Sequence, residues 1–121
     1  MVKLKEAKPR LAVKFFRQEA SLSEPVREWL KSLPEAERKV LGEDIKAAQF
    51  GWPLGLPLVD HVDGQIWEVR SKLDNRIARV LFAIDDSTMV LLHGFIKKDR
   101  KTPKSDLDLA RNRLKLFGAR R

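Results

Sequence analysis

Arg70 and Arg79 are the residues whose placement asks for chemistry. They lie in the stretch 66–98, IWEVRSKLDNRIARVLFAIDDSTMVLLHGFIKK, which reads as three consecutive strands joined by two tight turns. The first turn is Asp74-Asn75, a pair tolerant of the positive φ that two-residue hairpin loops require. With those two residues as the whole loop, Leu73 faces Arg76 and Arg70 faces Arg79. One face of the hairpin then carries Glu68, Arg70, Lys72 and Arg79 among Ile66, Ile77, Leu81 and Ala83. The other carries Trp67, Val69, Leu73, Ala78, Val80, Phe82 and Ile84, with Ser71 and Arg76 near the turn. Like charges directly opposite on paired strands repel. A hairpin that sets arginine against arginine therefore calls for an anion between them.

Further cations follow. The run IKKDRKTPK supplies Lys97, Lys98, Arg100, Lys101 and Lys104, and Arg76 adds a charge at the hairpin turn. In an ideal strand Lys97 and Lys98 point to opposite faces, so one of them at most enters a given site without a bulge. Glu68 stands next but one to Arg70, where its simplest role is to orient or neutralise that arginine. His61, just before the meander, is a candidate acid or base, whereas His93 among Leu91, Leu92 and Phe95 reads as a sheet or core histidine. The length of the second turn, within Asp85–Thr88, is open, and so is the face taken by His93 and Phe95.

A cationic, carboxylate-poor face suits cleavage of RNA, because the nucleophile arrives with the substrate as the 2′-OH beside the scissile phosphate. The protein need only hold the backbone in line, move a proton and stabilise charge growing on the phosphate, a task that fits arginine's planar fork. A lysine can serve as acid, or as base where desolvation lowers its pKa. The net charge of +8 and pI near 10.0 fit a polyanionic partner.

Other chemistries find little footing. There is no Gly-rich phosphate loop, HExxH, nucleophile elbow or Cys–His pair. With no cysteine and two histidines, neither a metal nor another cofactor is expected. No apolar run approaches the ~18 residues of a membrane span. The basic N-terminus lacks a signal peptide's apolar core, so a cytoplasmic protein is expected.

The elements that must position these residues can be read in order. Residues 1–10 are a basic lead-in and 11–121 a single domain. Leu11–Phe16 reads as a strand, and Ser21, Ser23 and Pro25 mark a helix start. Val26, Trp29, Leu30 and Leu33 keep helical spacing, as do Leu41, Ile45 and Ala48 after Pro34. Residues 51–64 form a connector with at most a short extended piece at Leu58–Val62. After the meander, Thr102 is the predicted cap of a last helix striped with Leu107, Ala110, Leu114 and Phe117. The expected fold is α+β: a mainly antiparallel four-stranded sheet, an N-terminal helical hairpin and a C-terminal helix.

The segments IWEVR, NRIARVLF, LLHGFIKK and TPKSDLDLARNR, in that order, resemble the HigB-like branch of the RelE-type toxins, over roughly Leu11 to Phe117. The resemblance implies a RelE-like toxin of a type II toxin–antitoxin module that cleaves mRNA in the ribosomal A site without metal. Its partners would be the ribosome and a cognate antitoxin, often of helix-turn-helix type. It implies Arg79 as the family's strand arginine, Arg70 as the arginine of the E-x-R motif, and Lys97 and Lys98 as the basic strand-end residues. Lys72, Arg76, Lys101, Lys104 and His61 complete the expected RNA-binding set. The chain has no tyrosine and no histidine at the end of the last strand, so the general base is unassigned.

Overall fold

The alternation across 66–98 folds as three neighbouring strands of one sheet. In the computed structural model, which describes residues 8–98 and 100–120, the order is β1 (Ala12–Phe15), α1 (Pro25–Ser32), α2 (Glu35–Gly51), β2 (Val59–Asp63), β3 (Ile66–Lys72), β4 (Ile77–Asp85), β5 (Thr88–Lys97) and α3 (Lys104–Ala119). The sheet has five strands in the order β1-β5-β4-β3-β2, and β1 runs parallel to β5.

This corrects the expected four-stranded, mainly antiparallel sheet in two ways. The short piece in the connector is a full edge strand, β2, antiparallel to β3. Its alternation is brief and framed by Pro57 and Gly64, so composition there reads as loop. The parallel pair arises because β1 and β5 are remote in sequence, and only such long connections let two strands run the same way.

The turns and caps also differ from expectation. Leu73 N–H does bond the Arg76 carbonyl at 2.9 Å, closing the hairpin around Asp74-Asn75. Yet among the described non-glycine residues positive φ occurs only at Leu22 and Asp86, so this turn is not of the positive-φ type. Asp86, at φ 55, instead makes the second turn, where Asp85 pairs with Thr88. Pro25 opens α1 as expected, but Ser21 and Ser23 bond each other and Gln18 rather than capping it. Pro103, not Thr102, is the capping position of α3.

Helices cover both sheet faces. α1 and α2 pack on the side of Val69, Val80, Phe82 and Leu91, with Leu41 and Ala48 fully buried. Trp29 of α1 lies so close to β5 that a Cβ on Gly94 would sit 2.3 Å from its ring. On the opposite face Ala110 of α3 is buried against a cluster of Phe16, Leu81, Ala83, Val90 and Leu92. α3 lies over β5 and β4, leaving the polar side chains of β3 beyond it. No helix among the described residues is long and apolar enough to cross a membrane.

Candidate functional site

Arg70 and Arg79 are paired in the β3–β4 register. The anion between them is supplied by the chain itself. Glu68 Oε2 lies 3.3 Å from Arg79 Nη1, and Glu68 Oε1 lies 3.8 Å from Arg70 Nε. Glu68 and Arg79 are 2% and 3% exposed, a buried ion pair. Arg79 also donates to Thr102 Oγ1 at 2.9 Å and to the Arg100 carbonyl at 2.8 Å, and Thr102 Oγ1 lies 3.4 Å from Glu68 Oε2. Burial pushes the Glu68 carboxyl above its ordinary range, outweighing the pull of Arg79 and Arg70. Burial likewise lowers the Arg79 guanidinium, with Glu68 opposing. The arginine is thus engaged at both terminal nitrogens, pinning the segment 100–102 to the sheet.

A cleft of about 350 Å³ opens beside this pair, between β2, β3 and the segment 100–102. Arg70 lines it, with its side chain 28% exposed, and so do Arg100 and Lys101. Asp60, opposite Glu68 in the β2–β3 register, brings a second carboxylate to the same face. A β-bulge at Leu81/Phe82 resolves the orientation of β5: His93 falls opposite Leu81, Phe95 opposite Arg79 and Lys97 opposite Ile77, all on the arginine face. Lys97 and Lys72 both pair with Ile77, so they flank it in one row across the sheet. Partial desolvation, then Arg79 and Arg70, lowers the Lys97 ammonium below the usual lysine range. Lys98 is exposed and shares with Lys72 and Lys97 an open groove of about 400 Å³ around the hairpin tip.

Two expected RNA-binding residues already have partners within the chain, although Arg76 lines the hairpin-tip groove and His61 lines the cleft. Arg76 makes a two-pronged ion pair with Glu37 of α2, on the face of the sheet that α1 and α2 cover. His61 pairs with Trp67, on the alternate face to Asp60 and Glu68; its ring packs 4.7 Å from that indole, and its Nε2 lies 2.7 Å from the Gly64 carbonyl. Lys104 is exposed at the start of α3, outside the cleft lining.

The family model described as phage-derived protein Gp49-like (DUF891) matches residues 28–115, from within α1 to within α3. The chain belongs to the Gp49-like family. That family is one of toxin–antitoxin toxins related to the RelE/HigB type. No curated protein matches the chain.

This Gp49-like chain also brings together residues that its sequence does not announce. Thr102 reads as a helix cap because threonine before proline usually is one, yet its hydroxyl serves the buried pair. Asp60 is hidden because β2 reads as connector. His93 Nε2 meets Asp106 Oδ1 at 2.6 Å, tying β5 to the first turn of α3, while its ring stacks on Phe95 at 5.5 Å. Only the bulge brings these two rings to the arginine face, and bulges leave no clear mark in a sequence.

Proposed function

We propose that this Gp49-like protein is the toxin of a type II toxin–antitoxin module, of the HigB-like branch, and that it cleaves mRNA on the ribosome. The observation that carries this reading is the open cationic row: Arg70 on the cleft, with Lys97 and Lys72 one step along the same face. Family membership supports the toxin role and an antitoxin partner. In the proposed reaction the 2′-OH loses its proton to a base and attacks the adjacent phosphorus. The P–O5′ bond breaks, leaving a 2′,3′-cyclic phosphate and a 5′-OH that takes up a proton. Lys97 is the group suited to the first proton, because a lowered ammonium pKa raises its neutral fraction. Arg70 can turn from Glu68 to the phosphate, since its 3.8 Å contact is long and its side chain partly exposed. Arg79 acts by holding segment 100–102, and with it Arg100 and Lys101, beside the cleft.

One observation favours a second reading. Glu68 already neutralises the buried arginine, so the pair also fits a non-catalytic module that binds RNA or an antitoxin without cutting. Induced expression without antitoxin separates the two. The toxin reading expects growth arrest, cuts in ribosome-bound mRNA, and loss of both in Arg70→Ala and Lys97→Ala. Wild-type protein that binds RNA but neither arrests growth nor cuts would leave the second reading standing.

A further inference from the structure

A further cavity lies at the other end of the sheet, along the edge of β1 that no strand pairs among the described residues. It measures about 840 Å³ and is lined by β1 and residues of α1, α3 and the β4–β5 turn. Four cations, Lys14, Arg17, Arg27 and Arg120, line it with two acids, Glu24 and Asp85; Arg17 lies 4.0 Å from Glu24 and Arg120 3.8 Å from Glu19, which leaves the balance cationic around Lys14. Glu24 is already taken by Arg27 at 2.6 Å. Two aromatic rings form an apolar floor, with the Arg27 guanidinium 4.5 Å from the Phe15 ring and Lys14 5.6 Å from Phe117.

The backbone decides what such a groove can hold. Ala12 N–H bonds the Ser87 carbonyl and Phe16 N–H bonds the Leu91 carbonyl, both toward β5. In a parallel ladder the residues between, Val13 and Phe15, must turn N–H and C=O alike outward. Outward carbonyls repel a phosphate backbone, whereas alternating donors and acceptors match another peptide strand. The charge then narrows the choice. The chain's own first seven residues, MVKLKEA, carry two lysines and one glutamate and so have the wrong sign. Lys14 in mid-strand likewise discourages neutral or basic strands while favouring an acidic one.

We propose that the β1 edge is a docking site for an extended, acidic segment of a partner protein, added to the sheet as a sixth strand. Its acidic side chains would meet Lys14 and Arg120 on one face, and its apolar ones would lie on the Phe15 side. Three strand spacings, roughly 14 Å, separate β1 from β3. Such a partner would therefore leave the Arg70 cleft open. The proposal does not depend on the cleavage reading, and β1 lies outside the segment matched by the family model.

The test uses the full chain with three probes: an eight-residue peptide alternating glutamate and valine, the same peptide N-methylated on every second amide, and a single-stranded RNA oligonucleotide. Calorimetric titration is combined with amide hydrogen exchange. Binding of the first peptide with slowed exchange at Val13 and Phe15, and no binding of the methylated one, is the expected result. Lys14→Glu and Arg17→Glu, both at exposed positions, should each weaken it about fivefold while thermal melting is unchanged. No peptide binding, equal binding of the methylated peptide, or the same amides protected by RNA would each overturn the proposal. Protection that grows with protein concentration alone would also overturn it, by naming a second copy of the chain as the occupant.

Discussion

Arg70 and Arg79 face each other across one pair of strands, yet they live in different worlds. Arg79 is 3% exposed and held by a carboxylate, a hydroxyl and a carbonyl. Arg70 keeps one long contact and reaches the cleft. The difference comes from what lies above each. The segment 100–102 folds over Arg79 and its partner Glu68, whereas Arg70, two residues along β3, keeps its side chain 28% exposed at the cleft. Position in the sheet, rather than residue type, separates the arginine that builds the site from the arginine free to act in it.

The largest expected effect breaks the sealed half. Removing one partner of a buried ion pair leaves the other charged and desolvated, which costs about 3–5 kcal/mol. Glu68→Ala and Arg79→Ala should each lower unfolding free energy by about that much in urea titration. Arg70→Ala and Lys72→Ala, on the open half, should shift it by less than about 1 kcal/mol. If Arg79→Ala melts like the wild type, the sealed half is not structural and the contrast fails. One consequence is practical. Loss of toxicity in an Arg79 variant says nothing about catalysis unless its fold has been checked, whereas an Arg70 variant speaks more directly.

The pairing of the two arginines was legible in the sequence, but the contrast between them was not: both read as grips for a phosphate. The Arg70–Arg79 register follows from a two-residue loop and strict alternation, both local. The sequence called for an anion there and read it as an RNA phosphate, whereas Glu68 of the chain itself stands against both arginines. Glu68 sits two residues from Arg70 and reads as that residue's partner, but its shorter contact is to Arg79 on the next strand. Burial of the pair depends on Thr102 and Arg100, whose approach is set by the path of a loop. The parallel placement of β1 is hidden for the same reason: pairing between segments so far apart leaves no local pattern. Local chemistry was readable, and long-range cover was not.

An intermediate effect sharpens the boundary between the halves. Thr102→Val keeps shape but removes a hydroxyl that accepts from Arg79, leaving a buried donor short of a partner, for a cost of about 1–2 kcal/mol. Thr102→Ser should recover most of it. Hydrogen exchange in 100–103 should quicken in the valine variant and not in the serine one. Equal behaviour of the two would mean that the hydroxyl does not hold the segment.

The smallest effect concerns Lys97, through which the two halves communicate. Its ammonium is disfavoured by partial desolvation and then by the positive charges of Arg79 and Arg70. Removing a neighbouring cation relieves that repulsion, so its pKa should move back up toward the ordinary 10.5. Only the neutral amine is acylated, and a higher pKa means less of it at a given pH. Arg70→Gln should therefore slow acetylation of Lys97 at mildly alkaline pH, read peptide by peptide in a mass spectrometer, with the exposed Lys104 as internal reference. Unchanged labelling would mean that Arg70 does not tune the lysine, and the two halves of the face would then act independently.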